Sequence, residues 1–224
     1  MDYSRIIPDC YGLYIFDLDG TLVDSLEDLY LSVNWILARK GFPLVDRETV
    51  RRSVGNGARN LIAQTFAVSA GTCGRAAPSG TELDGILAEY RARYEAHCAE
   101  HTALYPGIRE WLDLLRARGA SLAVLTNKPE RATRALLDAL KVSDLFMAIA
   151  GPETFGATKP DPAGLNGIMR LAGAGLAETV MIGDSTVDVL TARNAGVACC
   201  GITGGLGDAS AMLSLLPEYV IERE

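Results

Sequence analysis

From residue 107 to residue 202 the chain repeats one pattern, in which a stretch with helical spacing of apolar residues gives way to a short apolar run of β-prone side chains. The runs are SLAVL (121–125), FMAIA (146–150), TVMI (179–182) and VACCGI (197–202), and GLYIF (12–16) precedes them all. Helices are predicted over 107–118, 129–140, 161–172 and 186–195. Strands separated by helices pair in parallel, and a parallel sheet must be covered by helices on both faces. The pattern therefore predicts an α/β fold. Between Ser25 and about residue 100 it changes. Leu26, Leu29, Tyr30, Val33, Ile36 and Leu37 keep helical spacing and no strand pattern intervenes. The expected organisation is an α/β core, 1–21 plus 103–224, interrupted by a helical insert, 22–102. Within the insert, the Gly/Ser/Pro-rich segment SAGTCGRAAPSGTE (69–82) predicts a loop between helices.

Composition narrows the function classes. An apolar fraction of 49% and a charged fraction of 22% are those of a globular protein with a sizeable core. No apolar run approaches the roughly 18 residues of a membrane span, and the first residues lack the pattern of a signal peptide, so a cytoplasmic protein is expected. The five cysteines have no CxxC spacing and indicate neither a disulfide framework nor a zinc site. A net charge of -7 argues against nucleic-acid or membrane partners. Any anion must therefore be held by a few local cations. Monomer and homodimer both stay open.

In an open parallel sheet, ligands collect outside the carboxyl ends of the strands. The first strand ends in Asp17-Leu18-Asp19-Gly20-Thr21 and the second in Thr126-Asn127-Lys128. The strand at 179–182 ends in Gly183-Asp184-Ser185, with Asp188 beyond, and Lys159 follows the third strand. Asp17, Asp19, Asp184 and Asp188 should thus meet Thr126, Asn127 and Lys159 on one rim. Carboxylates brought so close raise one another's pKa unless a cation sits among them. A hard divalent ion with oxygen ligands, Mg²⁺, is the expected resolution.

DLDGT (17–21), TN (126–127), KPDP (159–162) and GDSTVD (183–188), in this order and after apolar strands, resemble the motifs of the haloacid dehalogenase superfamily of phosphotransferases. Within it, VGNGA (54–58), LYPG (104–107), LTNKP (125–129) and GDSTVDVLTARNAG (183–196) are similar to those of bacterial phosphoglycolate phosphatases. The resemblance implies a Rossmann-like, doubly wound core with a mobile helical cap inserted after the first strand. Asp17 would attack phosphorus and form an aspartyl-phosphate. Asp19 would protonate the leaving oxygen and later accept a proton from water. Thr126 and Lys159 would hold the phosphoryl oxygens, with Gly20 and Asn127 also counted as substrate contacts. Mg²⁺ would bind a carboxylate oxygen of Asp17, the backbone carbonyl of Asp19 and the side chain of Asp184, with Asp188 in or just outside that shell. Thr21 to Ser25 and His101 to Tyr105 would be the hinges of the cap. Gly55-Asn56-Gly57, with Arg52 and Arg59 nearby, would select the substrate, a small phosphorylated metabolite bearing a carboxylate such as 2-phosphoglycolate.

Other readings compete. Dehalogenases of this superfamily lack an acid at the second position of the first motif, so Asp19 favours phosphoryl transfer. A sugar-phosphate phosphatase, a pyrophosphatase or a β-phosphoglucomutase-like phosphomutase shares the same core motifs. A serine esterase using Ser185 would need a histidine base, and both histidines, His97 and His101, fall in the insert. An EF-hand loop starting at Asp17 would place Leu22 where glycine is required. Asn56 between two glycines is equally a tight turn. Gly204-Gly205-Leu206-Gly207 reads as a flexible connection, and Cys199-Cys200 as core packing.

Overall fold

The computed structural model describes residues 11–223; Cys10 and the start of the chain lie outside them. The chain enters through β1 (Leu13–Phe16), passes the short β2 (Val23–Asp24), and runs through α1 (Leu26–Arg39), α2 (Arg47–Ser53), α3 (Gly57–Cys73) and α4 (Gly80–His97). It returns at β3 (Ala103–Leu104), which pairs antiparallel with β2 so that Val23 faces Leu104. The two crossings between the helical insert and the sheet are thereby tied together, at the segments expected to be hinges. Strand and helix then alternate. The order is α5 (Ile108–Ala117), β4 (Ser121–Leu125), α6 (Glu130–Ala139), β5 (Ala148–Ala150), α7 (Pro152–Phe155), α8 (Ala163–Ala172), β6 (Thr179–Gly183), α9 (Thr186–Ala195), β7 (Ala198–Ile202), α10 (Ala209–Ser214) and β8 (Tyr219–Ile221).

The strands lie in the order β5-β4-β1-β6-β7-β8, and all pair in parallel. The chain thus moves outward from β1 to one edge, returns to β6 beside β1, and moves to the other edge. This is the doubly wound Rossmann-like order, and its switch point lies at β1 and β6. Side chains alternate across the sheet as strand geometry requires. Leu13 and Ile15 join Leu125, Leu165, Ile168 and Met181 on one face. Tyr14 and Phe16 join Val124, Trp111 and Ile182 on the other. Cys199 and Cys200 follow the same rule, one in each cluster, as the core-packing reading expects.

The insert is not a separate oil drop. Ile86, Tyr90 and Tyr94 of α4 and Phe66 of α3 belong to the same buried cluster as Phe16 and Trp111. The predicted loop at 69–82 is shorter than its composition suggests, because α3 continues to Cys73 and α4 already begins at Gly80. Ser69 and Ala70 are buried, so packing holds the last turn helical until Gly74, in the left-handed conformation, ends it. The short elements β2, β3, α7, α10 and β8 carry no readable periodicity. No helix among the described residues is long and apolar enough to cross a membrane.

Asp28, in the first turn of α1, anchors the return crossing. Its buried carboxylate accepts the backbone amides of His101 and Thr102 at 3.0 and 2.9 Å and the Thr102 hydroxyl at 2.7 Å. Asp28→Ala would leave buried donors without an acceptor, at a cost of about 1 to 3 kcal/mol. Denaturant unfolding of the two proteins should show that loss as a lower midpoint.

Candidate active site

β1 and β6 are adjacent and in register, with Phe16 beside Ile182, so the residues that follow them emerge side by side. Asp17 leaves the end of β1 and Asp184 the end of β6, while Asp188 reaches back from the first turn of α9. One oxygen from each of the three carboxylates lies within 4.8 Å of the others. All three residues are buried, Asp188 completely. Ser185 caps α9, donating its amide and hydroxyl to Asp188 at 3.1 and 2.6 Å. That hydroxyl is committed to a helix cap, and no histidine shares its contacts, which removes the basis for an esterase reading.

Lys159 enters the cluster from the loop before α8. Its ammonium lies 2.8 Å from Asp17 and 2.6 Å from Asp188. Burial alone would lower the lysine pKa, but Asp17 and Asp188 outweigh it and hold the group charged. Burial lifts Asp17 to about 7; Lys159 pulls it down, while Asp188 and Asp184 push it up. Asp184 is lifted to about 6, first by burial and then by Asp188, against the pull of the amides and hydroxyl it accepts. Three carboxylates against one ammonium leave the cluster short of positive charge. All the donors are hard oxygens, so a divalent cation fits the set.

Asp184 is held from three directions. Thr21 donates its hydroxyl to one oxygen at 3.0 Å, and the amides of Leu206 and Gly207 donate to the other at 2.8 and 2.9 Å. The segment 204–207 is therefore no flexible connection. Its glycines let backbone approach a carboxylate, and a Cβ on Gly205 would overlap the Asp184 side chain. Gly20 has a φ of +87° and is equally close to Asp184, so a side chain there would both strain the backbone and displace the acid. Gly20 thus spaces the cluster and is not among the residues lining the neighbouring pocket.

That pocket lies between the sheet rim and the insert, lined by Asp17, Asp19, Thr126, Asn127 and Lys128 from below and by Gly55, Gly57, Leu61, Tyr90 and Tyr94 from above. Asp19 stands apart from the three-acid cluster. Ser25 donates to it at 2.6 Å, and the Lys128 ammonium reaches both its oxygens at 2.8 and 2.9 Å. Thr126 is buried at the end of β4, with its hydroxyl accepting the Lys128 amide. The Asn127 side chain exchanges hydrogen bonds with the Lys159 backbone at 2.8 and 3.1 Å and donates to the Gly55 carbonyl at 3.0 Å.

The insert loop divides. Gly55 and Gly57 face the pocket, whereas Asn56 is exposed at the start of α3 and does not line it. Arg52 and Arg59 are exposed and paired with Glu48 and Asp84, so neither guanidinium is turned to the pocket. Arg51 is the arginine that reaches the core, donating to the Leu206 carbonyl at 3.0 Å. Lys128 and the 204–207 amides are parts of the site that motif reading missed. Lys128 could have been found by asking where an acidic chain keeps its cations, since it stands beside Thr126 and Asn127 at the same strand end.

Known proteins resemble this chain in sequence and in overall fold. A phosphoglycolate phosphatase of Pseudomonas syringae pv. syringae is 40% identical over 216 residues, covering 94% of this chain and 76% of that protein. Its counterpart in Pseudomonas syringae pv. tomato has the same identity and coverage. The crystal structure of a predicted phosphoglycolate phosphatase from Haemophilus somnus 129pt superposes with a TM-score of 0.89 at 29% identity, covering 96% of this chain and 94% of that one. Residues 14–202, from β1 through β7, match the family described as haloacid dehalogenase-like hydrolase, and the chain belongs to that family.

Proposed function

We propose that this hydrolase is a phosphatase that cleaves a small phosphomonoester, 2-phosphoglycolate, to glycolate and phosphate. The observation that carries the reading is the placement of two acids in different surroundings on one pocket: Asp17 against Lys159, and Asp19 against Ser25 and Lys128. The names of the relatives support the substrate. Asp17 attacks phosphorus as the ester P–O bond breaks, and Asp19 gives its proton to the departing glycolate oxygen. Water then attacks the aspartyl-phosphate, Asp19 takes a proton from it, and the bond to Asp17 breaks to release phosphate. Lys159 offsets the charge of the phosphoryl oxygens with a fixed, buried ammonium. Mg²⁺ is the ion we assign to Asp17, Asp184 and the backbone carbonyl of Asp19, with Asp188 holding Lys159 and Ser185 beside it. When bound, it supplies charge neutralisation between the nucleophile and the phosphoryl group.

Asp17→Asn should abolish turnover while circular dichroism and the thermal midpoint stay near those of the parent. Retained turnover would remove Asp17 as nucleophile. Lys159→Ala should weaken transition-state stabilisation by about 2 to 4 kcal/mol, read as kcat/KM on 2-phosphoglycolate. A panel including hexose phosphates and pyrophosphate, with free phosphate measured, separates this phosphatase from a mutase or a pyrophosphatase.

The metal assignment has a pH signature. Without metal, Asp17 and Asp184 are lifted from an ordinary 3.8 to about 7 and about 6. Between those values the folded site binds more protons than the unfolded chain, so metal-free stability falls as pH rises through the window. Mg²⁺ competes with the same protons. The gain in thermal midpoint on replacing a chelator with Mg²⁺ should therefore be larger at pH 7.5 than at pH 5.

A further inference from the structure

Lys128 is a buried cation that lines the pocket itself, and the hydrolytic steps above give it no role. Its ammonium has three N–H groups. Two directions are taken by the oxygens of Asp19 at 2.8 and 2.9 Å, and the Tyr94 ring lies 4.5 Å away. Tyr94 is 3% exposed, and its hydroxyl is buried without a hydrogen-bond partner among the described residues. A buried phenol left unpaired is costly. Tyr94 lines the pocket, and its ring lies against the Lys128 ammonium, whose hydrogen bonds among the described residues go to Asp19.

The position of this pair decides what it can bind. The leaving oxygen must sit at Asp19, so whatever that oxygen carries extends past Asp19 into the insert side of the pocket. Lys128 and Tyr94 flank that path, and Leu29, Val54, Ala58 and Leu61 make the wall there apolar. Water is kept from such a wall, so a charge–charge contact is screened little. A carboxylate one methylene beyond the leaving oxygen lies within reach of an ammonium already hydrogen-bonded to Asp19. Of the other cations nearby, Arg52 and Arg59 are turned outward and paired, and Arg91 lines the pocket as an exposed residue of α4, whereas Lys128 is buried beside Asp19.

We propose that Lys128, assisted by the Tyr94 hydroxyl, is the specificity-determining anchor for a carboxylate on the leaving group. The proposal rests on the phosphatase reading and deepens it: the core residues read the phosphoryl group, and Lys128 with Tyr94 reads the acid.

The test compares two substrates of nearly equal shape, 2-phosphoglycolate and ethyl phosphate, with the Mg²⁺-loaded full chain. The parent should prefer 2-phosphoglycolate. In Lys128→Met that preference, as a ratio of kcat/KM values, should fall roughly 10- to 100-fold, the range of a hydrogen bond to a charged group. Most of the loss should lie in KM. Tyr94→Phe keeps the ring and removes the hydroxyl, and should shift the ratio the same way by a smaller factor. It carries the test alone if Lys128→Met does not fold. Equal losses on both substrates would make Lys128 a support for Asp19 only and overturn the anchor. A parent that hydrolyses both esters without preference would overturn the anchor while leaving the phosphatase standing. Hydrolysis of neither would remove both.

Discussion

The Lys159 ammonium between Asp17 and Asp188 is the contact around which the site is organised. Buried carboxylates are unfavourable unless paired, and breaking a buried pair typically costs about 3 to 5 kcal/mol. The three acids of the cluster come from the ends of β1 and β6 and from the first turn of α9, and the lysine from the loop before α8. No local sequence could assemble them. The β1–β6 register does, because parallel neighbours deliver their last residues to the same height. The doubly wound order is therefore a condition of the acid cluster, since it puts both acid-bearing strand ends at the one place where the winding reverses.

The site also divides its labour along the pocket. Below, Asp17 and Lys159 sit in the sheet rim, in surroundings fixed by backbone amides, a helix cap and close-approaching glycines. Above, Tyr90 and Tyr94 belong to α4 and to the core that joins insert and sheet. Asp19 lies at the border, facing Lys128 and Ser25 instead of the acid cluster. Two carboxylates one residue apart in sequence thus each face a lysine ammonium, but only Asp17 shares its lysine with further acids, and that difference in surroundings is what the proposed division between nucleophile and proton carrier rests on.

Much of this was legible in the residues. Parallel strands read as short apolar runs because both faces are buried, and the motifs sit directly behind one or, for Lys159, in the connection that follows, so Asp17, Asp184, Asp188 and Lys159 are placed on one rim by the sequence alone. What escaped was whatever depends on partners distant in sequence. Lys128 looks like the tail of a strand-end motif until Asp19 is seen beneath it. The glycines at 204–207 signal freedom in a sequence, yet here they permit a close approach to Asp184. Arg52 and Arg59 looked suited to an anion, but helical neighbours such as Glu48 claim them, and Arg51, one position away on α2, points to the core instead. At residues 69–73, burial of Ser69 and Ala70 overrode a loop-like composition.

Asn127 has a consequence that reaches beyond its own contacts. One amide side chain grips the backbone of Lys159 and also the Gly55 carbonyl of the insert. The strand end beside the acid cluster is thus also bonded to the helical insert. Any displacement of the insert away from the sheet must therefore break the hydrogen bond to Gly55, and a shift of the Asn127 amide is passed directly to the backbone that carries Lys159.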